Sequence, residues 1–227
     1  MTDPRESFLA VVRAELPLLV GVFPFGLIYG ALALDAGLSP LPAQMMSSIV
    51  FAGSSQFIAA QLIHESAPGL IIVLTIAVVN LRHMLYSASV APYVRTLPMR
   101  WKALLSYLLT DEAYAATITH YEQEGESKSG HWFFLGAGSS LWITWQISTA
   151  LGITLGTALP ESWPLEFALP LTFIALVIPL LKDRPAVAAA VSAGGVALLA
   201  YDLPFKLGLM LAALMGILLG VLMEGRK

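Results

Sequence analysis

The sequence predicts an all-α integral membrane protein with six full crossings and two re-entrant or broken segments, built as two inverted-topology repeats. Three observations carry that prediction. The first is composition: the 227 residues are 57% hydrophobic and only 12% charged, with a mean hydropathy of +0.77. A soluble domain carries about a quarter charged residues, so this chain has too little polar side chain to coat a globule, which argues against a soluble enzyme. The second is that the charges cluster. Charge-free windows remain at Leu16 to Leu34, Ala36 to His64, Ser66 to Leu81, Ser129 to Pro160, Phe167 to Leu181, Pro185 to Tyr201 and Leu207 to Met223. Several approach or exceed the roughly 20 apolar residues that cross a bilayer core. The third is the placement of Lys and Arg together with an internal repeat.

In chain order, the opening Met1 to Ser7 is polar and acidic, unlike a cleaved signal, so a span at 16–34 is expected to persist. Ser7 to Glu15 reads as a short interfacial helix ending at Pro17. Further apolar segments fall at about 41–63, 68–90, 102–120, 131–157, 165–181, 186–200 and 205–223. Basic residues lie before the first (Arg5, Arg13), after the third (Arg95, Arg100, Lys102), after the sixth (Lys182, Arg184) and at the end (Arg226, Lys227). Lys and Arg favour the cytoplasm and acidic residues count little, so eight full crossings would put two basic loops outside. Making the second and sixth segments re-entrant removes both conflicts. Both termini and the Arg95 to Lys102 loop are then cytoplasmic, and Glu122 to Lys128 is external.

The nine residues Phe51 to Ala59 match Phe167 to Ala175 at five positions without a gap. Gly26-x-x-x-Gly30 in the first segment answers Gly152-x-x-x-Gly156 in the fifth. The expected organisation is one membrane domain, 1–227, with repeat one at about 16–120 and repeat two at about 131–223. Inverted repeats with Gly- or Pro-interrupted segments in matching positions mark secondary transporters with a midplane site.

Gly53, Ser54, Ser55 and Gln56 are polar and flexible inside a charge-free window. A helix broken there can aim N–H groups at a substrate carboxylate, or the small residues can simply pack. Pro24, Phe25 and Gly26 form a kink in the first segment that serves packing or substrate contact, with Pro170 as a counterpart. Asn80, Arg82 and His83 precede the end of an apolar run, and His83 is a candidate titrating group for proton coupling or else a structural histidine. Asp111 and Glu112 fall near the centre of the fourth segment, where Arg82 is an available partner and one acid can carry a coupling proton. A static Arg-carboxylate pair is the alternative. Trp142 and Gln146 share one face at i, i+4, as a cavity wall or as packing. The four His show no ligand spacing and there is no Cys, so neither a metal nor another cofactor is expected. The net charge of −3 and the lack of a basic tract argue against nucleic acid.

At these motifs the sequence resembles the AzlC family, the large subunits of bacterial branched-chain amino acid exporters. The residues that carry it are Pro24-Phe25-Gly26, Phe51 to Phe57, Asn80-Leu81-Arg82-His83 and Thr110-Asp111-Glu112-Ala113, with Trp145-Gln146 and Phe173 to Leu176 extending it. The resemblance implies export of branched-chain amino acids, in some members methionine, through the bacterial inner membrane by the proton motive force. It also implies a small hydrophobic AzlD-type subunit. A channel or facilitator is the competing class, since paired re-entrant segments also build pores. A hydrolase using Ser54 or Ser55 with His83 and Asp111 is a third, without a nucleophile-elbow pattern to support it.

Overall fold

The computed structural model describes residues 4–124, 129–156, 178, 181, 183–203 and 207–224. Among them the chain is all-helical, without strands. The helices are α1 (Pro4–Asp35), α2 (Pro40–Val50), α3 (Gly53–His64), α4 (Gly69–Val79), α5 (Leu81–Val94), α6 (Met99–Tyr107), α7 (Asp111–Glu124), α8 (Gly130–Gly156), α9 (Arg184–Leu199) and α10 (Leu207–Glu224). Among the described residues three stretches are long and apolar enough to cross a membrane: Glu15–Asp35, Gly69–Val94 and Leu207–Glu224. Large apolar side chains face outward on several helices, among them Val20, Leu85, Val191 and Leu218, a surface suited to lipid. The chain divides into two compact units, one of residues 1–57 and 80–160, the other of 58–79 and 161–227.

In the first unit α1 and α8 pack along most of their length through small residues. A Cβ on Gly136 would meet Val11 and the Phe8 backbone, one on Gly152 would sit 2.2 Å from the Leu27 carbonyl oxygen, and Gly156 faces Ala31. Glycine lets the two backbones approach this closely. The contacts advance together along both helices, so α1 and α8 run parallel. Two expectations are corrected. The helix does not end at Pro17: it continues through Pro17 and Pro24 to Asp35, with α8 packed along it. The two Gly-x-x-x-Gly motifs also do not correspond by inversion, which would require their helices to run in opposite senses. They are two faces of one helix contact. The other part of the repeat, Phe167 to Ala175 with Pro170, lies outside the described residues.

The apolar segments at 41–63, 68–90 and 102–120 are each interrupted, at Phe51–Ala52, at Asn80 and at Leu108–Thr110. Phe51 takes a left-handed conformation (φ 37°, ψ 49°), which costs a non-glycine residue about 1–3 kcal/mol and must be held by its surroundings. The interruption at 108–110 turns the chain back. Tyr86 stacks on Tyr114 at 4.4 Å and Tyr93 on Tyr121 at 4.6 Å, so α5 and α7 are parallel. Between them α6 climbs beside α8, from Trp101 against His131 and Trp132 to Tyr107, whose hydroxyl accepts from Trp142 Nε1 at 2.7 Å. Helix α7 then descends, and His120 stacks on Phe133 at 3.8 Å.

Helices α6 and α7 are therefore an antiparallel hairpin with its tip at Leu108–Thr110. With nine residues, α6 spans about 14 Å, half a bilayer core. The expected single crossing at 102–120 is corrected. So is the placement of Arg95 to Lys102 and Glu122 to Lys128 on opposite sides: the ends of α5 and α7 lie at the same end of this unit as the starts of α1 and α8. Residues 125–128 themselves lie outside the described residues. The cause is local. Thr110 precedes two acids in the first turn of α7, a helix-start pattern that favours beginning a new helix over continuing the old one.

In the second unit α9 and α10 form an antiparallel hairpin, with Gly208 against Ala200 and Gly216 against Ala189 and Ala193. Asp183 caps α9 by accepting from the Ala186 N–H at 2.9 Å.

Candidate functional site

Three helices of the first unit begin at one place. The Ser55 hydroxyl, fully buried at the start of α3, donates to Asn80 Oδ1 at 2.6 Å, immediately before α5. Arg82, in the first turn of α5, donates from Nη2 to Ser54 Oγ at 2.6 Å. Its Nη1 lies 3.1 Å from Asp111 Oδ2 at the start of α7. First-turn N–H groups have no acceptor within their own helix, so three such termini gather N–H donors and partial positive charge around one guanidinium and one carboxylate. Two atoms of this cluster, Arg82 Nε and Asp111 Oδ1, are buried with no hydrogen-bond partner among the described residues.

The base of α3 rests on Trp145 of α8. Gln56, fully buried, accepts from Trp145 Nε1 at 3.0 Å, and Trp145 stacks on Tyr29 at 6.2 Å. A Cβ on Gly53 would come within 3.1 Å of the Trp145 ring, so glycine lets the helix start pass over the indole.

Glu112 is the neighbour of Asp111 and points about 100° away from it around the helix. A further acid, Glu15 of α1, is one that sequence reasoning passed over as a flank of the first span. Glu15 is 4% exposed, with Oε2 3.0 Å from Ser140 Oγ and Oε1 buried without a partner. The signal that would have found it is a helix carried on past Pro17, which makes Glu15 an interior residue.

Gln146 and Trp142 belong to a separate polar seam between α2 and α8. Gln146 Oε1 accepts from Gln44 Nε2 at 2.7 Å and Ser48 Oγ at 2.8 Å, and Ser47 lies 3.1 Å from Thr149 through their hydroxyls. Trp142 reaches the seam through Tyr107, whose hydroxyl donates to the Ser48 carbonyl at 2.5 Å. Gly26 packs on Ser148, Phe25 is half-buried and Pro24 is exposed; no described contact joins them to Arg82. His83 meets the edge of Tyr86 at 5.8 Å, and neither Ser54 nor Ser55 is described as bonded to it. Pro170 lies outside the described residues. No group of three or more His, Cys, Asp or Glu able to hold a metal occurs among the described residues.

Outward apolar side chains on the helices, with a polar Arg82–Asp111 cluster at three helix starts of the first unit, define a helical membrane protein with a polar site. The AzlC protein family matches residues 17–159, and the chain belongs to that family. It is 33% identical over 208 residues to an "Uncharacterized membrane protein" of Archaeoglobus fulgidus, covering 89% of each chain. It is 28% identical over 178 residues to the Escherichia coli "Inner membrane protein YgaZ", covering 76% of this chain and 72% of that one. To the Bacillus subtilis "Branched-chain amino acid transport protein AzlC" it is 24% identical over 181 residues, covering 78% and 70%. No solved structure matches.

Proposed function

We propose that this protein is a secondary transporter that exports small hydrophobic amino acids, branched-chain ones foremost and methionine among the candidates, across the bacterial cytoplasmic membrane by the proton motive force. The observation that carries the proposal is the meeting of three helix starts at Arg82 and Asp111. A zwitterion matches that arrangement: its carboxylate suits Arg82 Nε and the first-turn N–H groups of α3, and its ammonium suits Asp111 Oδ1. Glu112, turned away from Arg82, is then the acid that carries the coupling proton, since one guanidinium balances one carboxylate. The name of the Bacillus subtilis relative supports the substrate class. A small AzlD-type membrane subunit is part of the proposal.

The test is counterflow of labelled leucine, methionine and a charged amino acid in vesicles, with and without the small subunit. Leucine and methionine are expected to exchange and the charged amino acid not to. Failure of both to exchange under either condition overturns the proposal. Hairpin tips buried at membrane depth also suit a channel or facilitator. A facilitator would equilibrate leucine yet never accumulate it against a gradient, whereas the proposed carrier accumulates it until a protonophore is added.

We also infer six crossings and two re-entrant hairpins in a single membrane domain, with the hairpins at α2–α3 and α6–α7. The crossings among the described residues are α1, Gly69–Val94, α8, α9 and α10; the sixth is counted from the apolar sequence at 165–181, first read as re-entrant, which lies outside the described residues. Arg5, Arg13, Arg95, Arg100, Lys102, Lys128, Lys182, Arg184, Arg226 and Lys227 then all face the cytoplasm, as do both termini. In this arrangement the likeness of 51–59 to 167–175 carries no inverted relation between 16–120 and 131–223, since α1 and α8 would open the two halves in the same sense. In this Cys-free chain, cysteines placed at Thr96 and Gln123 are expected to label from the cytoplasmic side and one at Ser39 from the outside. Opposite labelling of Thr96 and Gln123 would return the fourth segment to a full crossing.

A further inference from the structure

We propose that Tyr107 is a positioning residue that ties the tips of the two hairpins together and thereby sets the spacing of the substrate's two charged contacts. This deepens the transport proposal and rests on its placing of the substrate at the starts of α3 and α7. Helix α2 ends at Val50, so its last carbonyls, those of Ser47 and Ser48 among them, are left without an N–H from their own helix. Side chains of other helices take these two. Gln146 Nε2 of α8 donates to the Ser47 carbonyl at 3.3 Å, and the Tyr107 hydroxyl, at the end of α6, donates to the Ser48 carbonyl at 2.5 Å. The same hydroxyl accepts from Trp142 Nε1 at 2.7 Å, so its single hydrogen and an acceptor site are both engaged. The Tyr107 ring lies 6.0 Å from that of Phe51, the left-handed residue whose conformation must be held by its surroundings. One side chain therefore caps the helix before the break and packs on the residue that makes the break.

Tyr107 also belongs to the tip of the other hairpin. It stands immediately before Leu108–Thr110 and four residues before Asp111. That tip rests on α8 at two points a turn apart: a Cβ on Gly138 would come within 2.6 Å of the Leu108 Cβ, and Trp142 reaches the Tyr107 hydroxyl. On the far side of the break, Ser54 stands three residues after Phe51 and is held by Arg82, which also holds Asp111. Break and tip are thus joined twice, through Arg82 at the site and through Tyr107 on the helix before it. A single joint would let the two helix starts pivot about Arg82; the second fixes their distance. In the proposed binding mode the start of α3 takes the substrate carboxylate and Asp111 its ammonium. In an α-amino acid these two groups share one carbon, and in a β-amino acid they stand one carbon further apart. A fixed spacing therefore selects α-amino acids over their β isomers, because a displaced charged group loses much of its contact.

The experiment uses the full-length protein in vesicles, with leucine and β-leucine as the two probes. Tyr107→Phe keeps the ring on Phe51 and removes the hydroxyl, leaving the Ser48 carbonyl without its donor. It is expected to raise the leucine concentration for half-maximal counterflow about three- to tenfold with the maximal rate within about twofold, and to narrow the parent's preference for leucine over β-leucine. Loss of a merely structural contact would lower the exchange of both alike. The break is read without substrate through Ala52, which is 3% exposed. In this chain without cysteine, Ala52→Cys is expected to react slowly with N-ethylmaleimide, and several times faster when combined with Tyr107→Phe. An unchanged labelling rate, parent-like half-saturation, or an unchanged preference for leucine over β-leucine overturns the proposal. Faster labelling in a protein that exchanges no leucine would sink the transport proposal and leave the tie between the hairpins standing.

Discussion

Arg82→Ala is expected to abolish leucine counterflow and to lower the thermal stability of the purified protein. The guanidinium holds Ser54 of α3 and Asp111 of α7 from its place on α5, so its removal releases two helix starts and leaves a carboxylate without a counter-charge. The two side chains are 31% and 40% exposed, so the ion pair itself contributes about 1 kcal/mol or less, and the rest of the loss comes from the freed starts of α3 and α7. The acids separate the two roles. Asp111→Asn leaves Arg82 without its counter-charge and removes the proposed ammonium contact, so exchange should fall by about tenfold or more. Glu112→Gln should keep counterflow and lose uphill accumulation, because binding survives and the proton carrier does not. If Asp111→Asn and Glu112→Gln both accumulate leucine as well as the parent, these carboxylates are structural and the coupling site lies elsewhere.

The second large effect is expected at Gly53. A leucine there drives into the Trp145 ring, which already comes within 3.1 Å of where a Cβ would be. The indole cannot withdraw freely, since its N–H is bonded to Gln56 and its face is stacked on Tyr29. The start of α3 must lift instead, carrying Ser54 and Ser55 away from Arg82 and Asn80. Gly53→Leu should therefore lose leucine-dependent thermal stabilisation, while Gly53→Ala, which asks the ring to yield by a few tenths of an ångström, keeps much of it. Circular dichroism on both variants checks that the helices remain. A folded Gly53→Leu protein stabilised by leucine like the parent would move the site away from this break.

How far the site was legible in the sequence differs residue by residue. Ser54, Ser55, Asn80, Arg82 and Asp111 stand out because polar and charged side chains inside apolar runs are costly unless they meet one another, and in the structure these five do. Trp142 and Gln146 stand out for the same reason but join a different polar seam, with Gln44, Ser47 and Ser48. Side-chain chemistry says that a partner is needed, not which one. Glu15 was hidden because its cost depends on depth, and depth depends on whether α1 stops at Pro17. Proline alone does not decide that; the packing of α8 along α1 does.

The helical class and the membrane setting were determined by the sequence itself, because hydropathy and charge content are sums over residues and need no knowledge of contacts. The positive-inside rule goes one step further and then stops. Re-entrant second and sixth segments, or re-entrant second and fourth, both bring the loops at 91–101 and 182–185 to the cytoplasm. The two schemes differ in the side taken by the loop after α7, where three Glu count for little and Lys128 alone weighs against the outside. Tertiary contacts bear on the fourth segment: Tyr93 on Tyr121 and His120 on Phe133 return α7 to the end at which α6 began. Those pairs lie far apart along the chain, and which of them form depends on how whole helices pack, a property that no local window of the sequence contains.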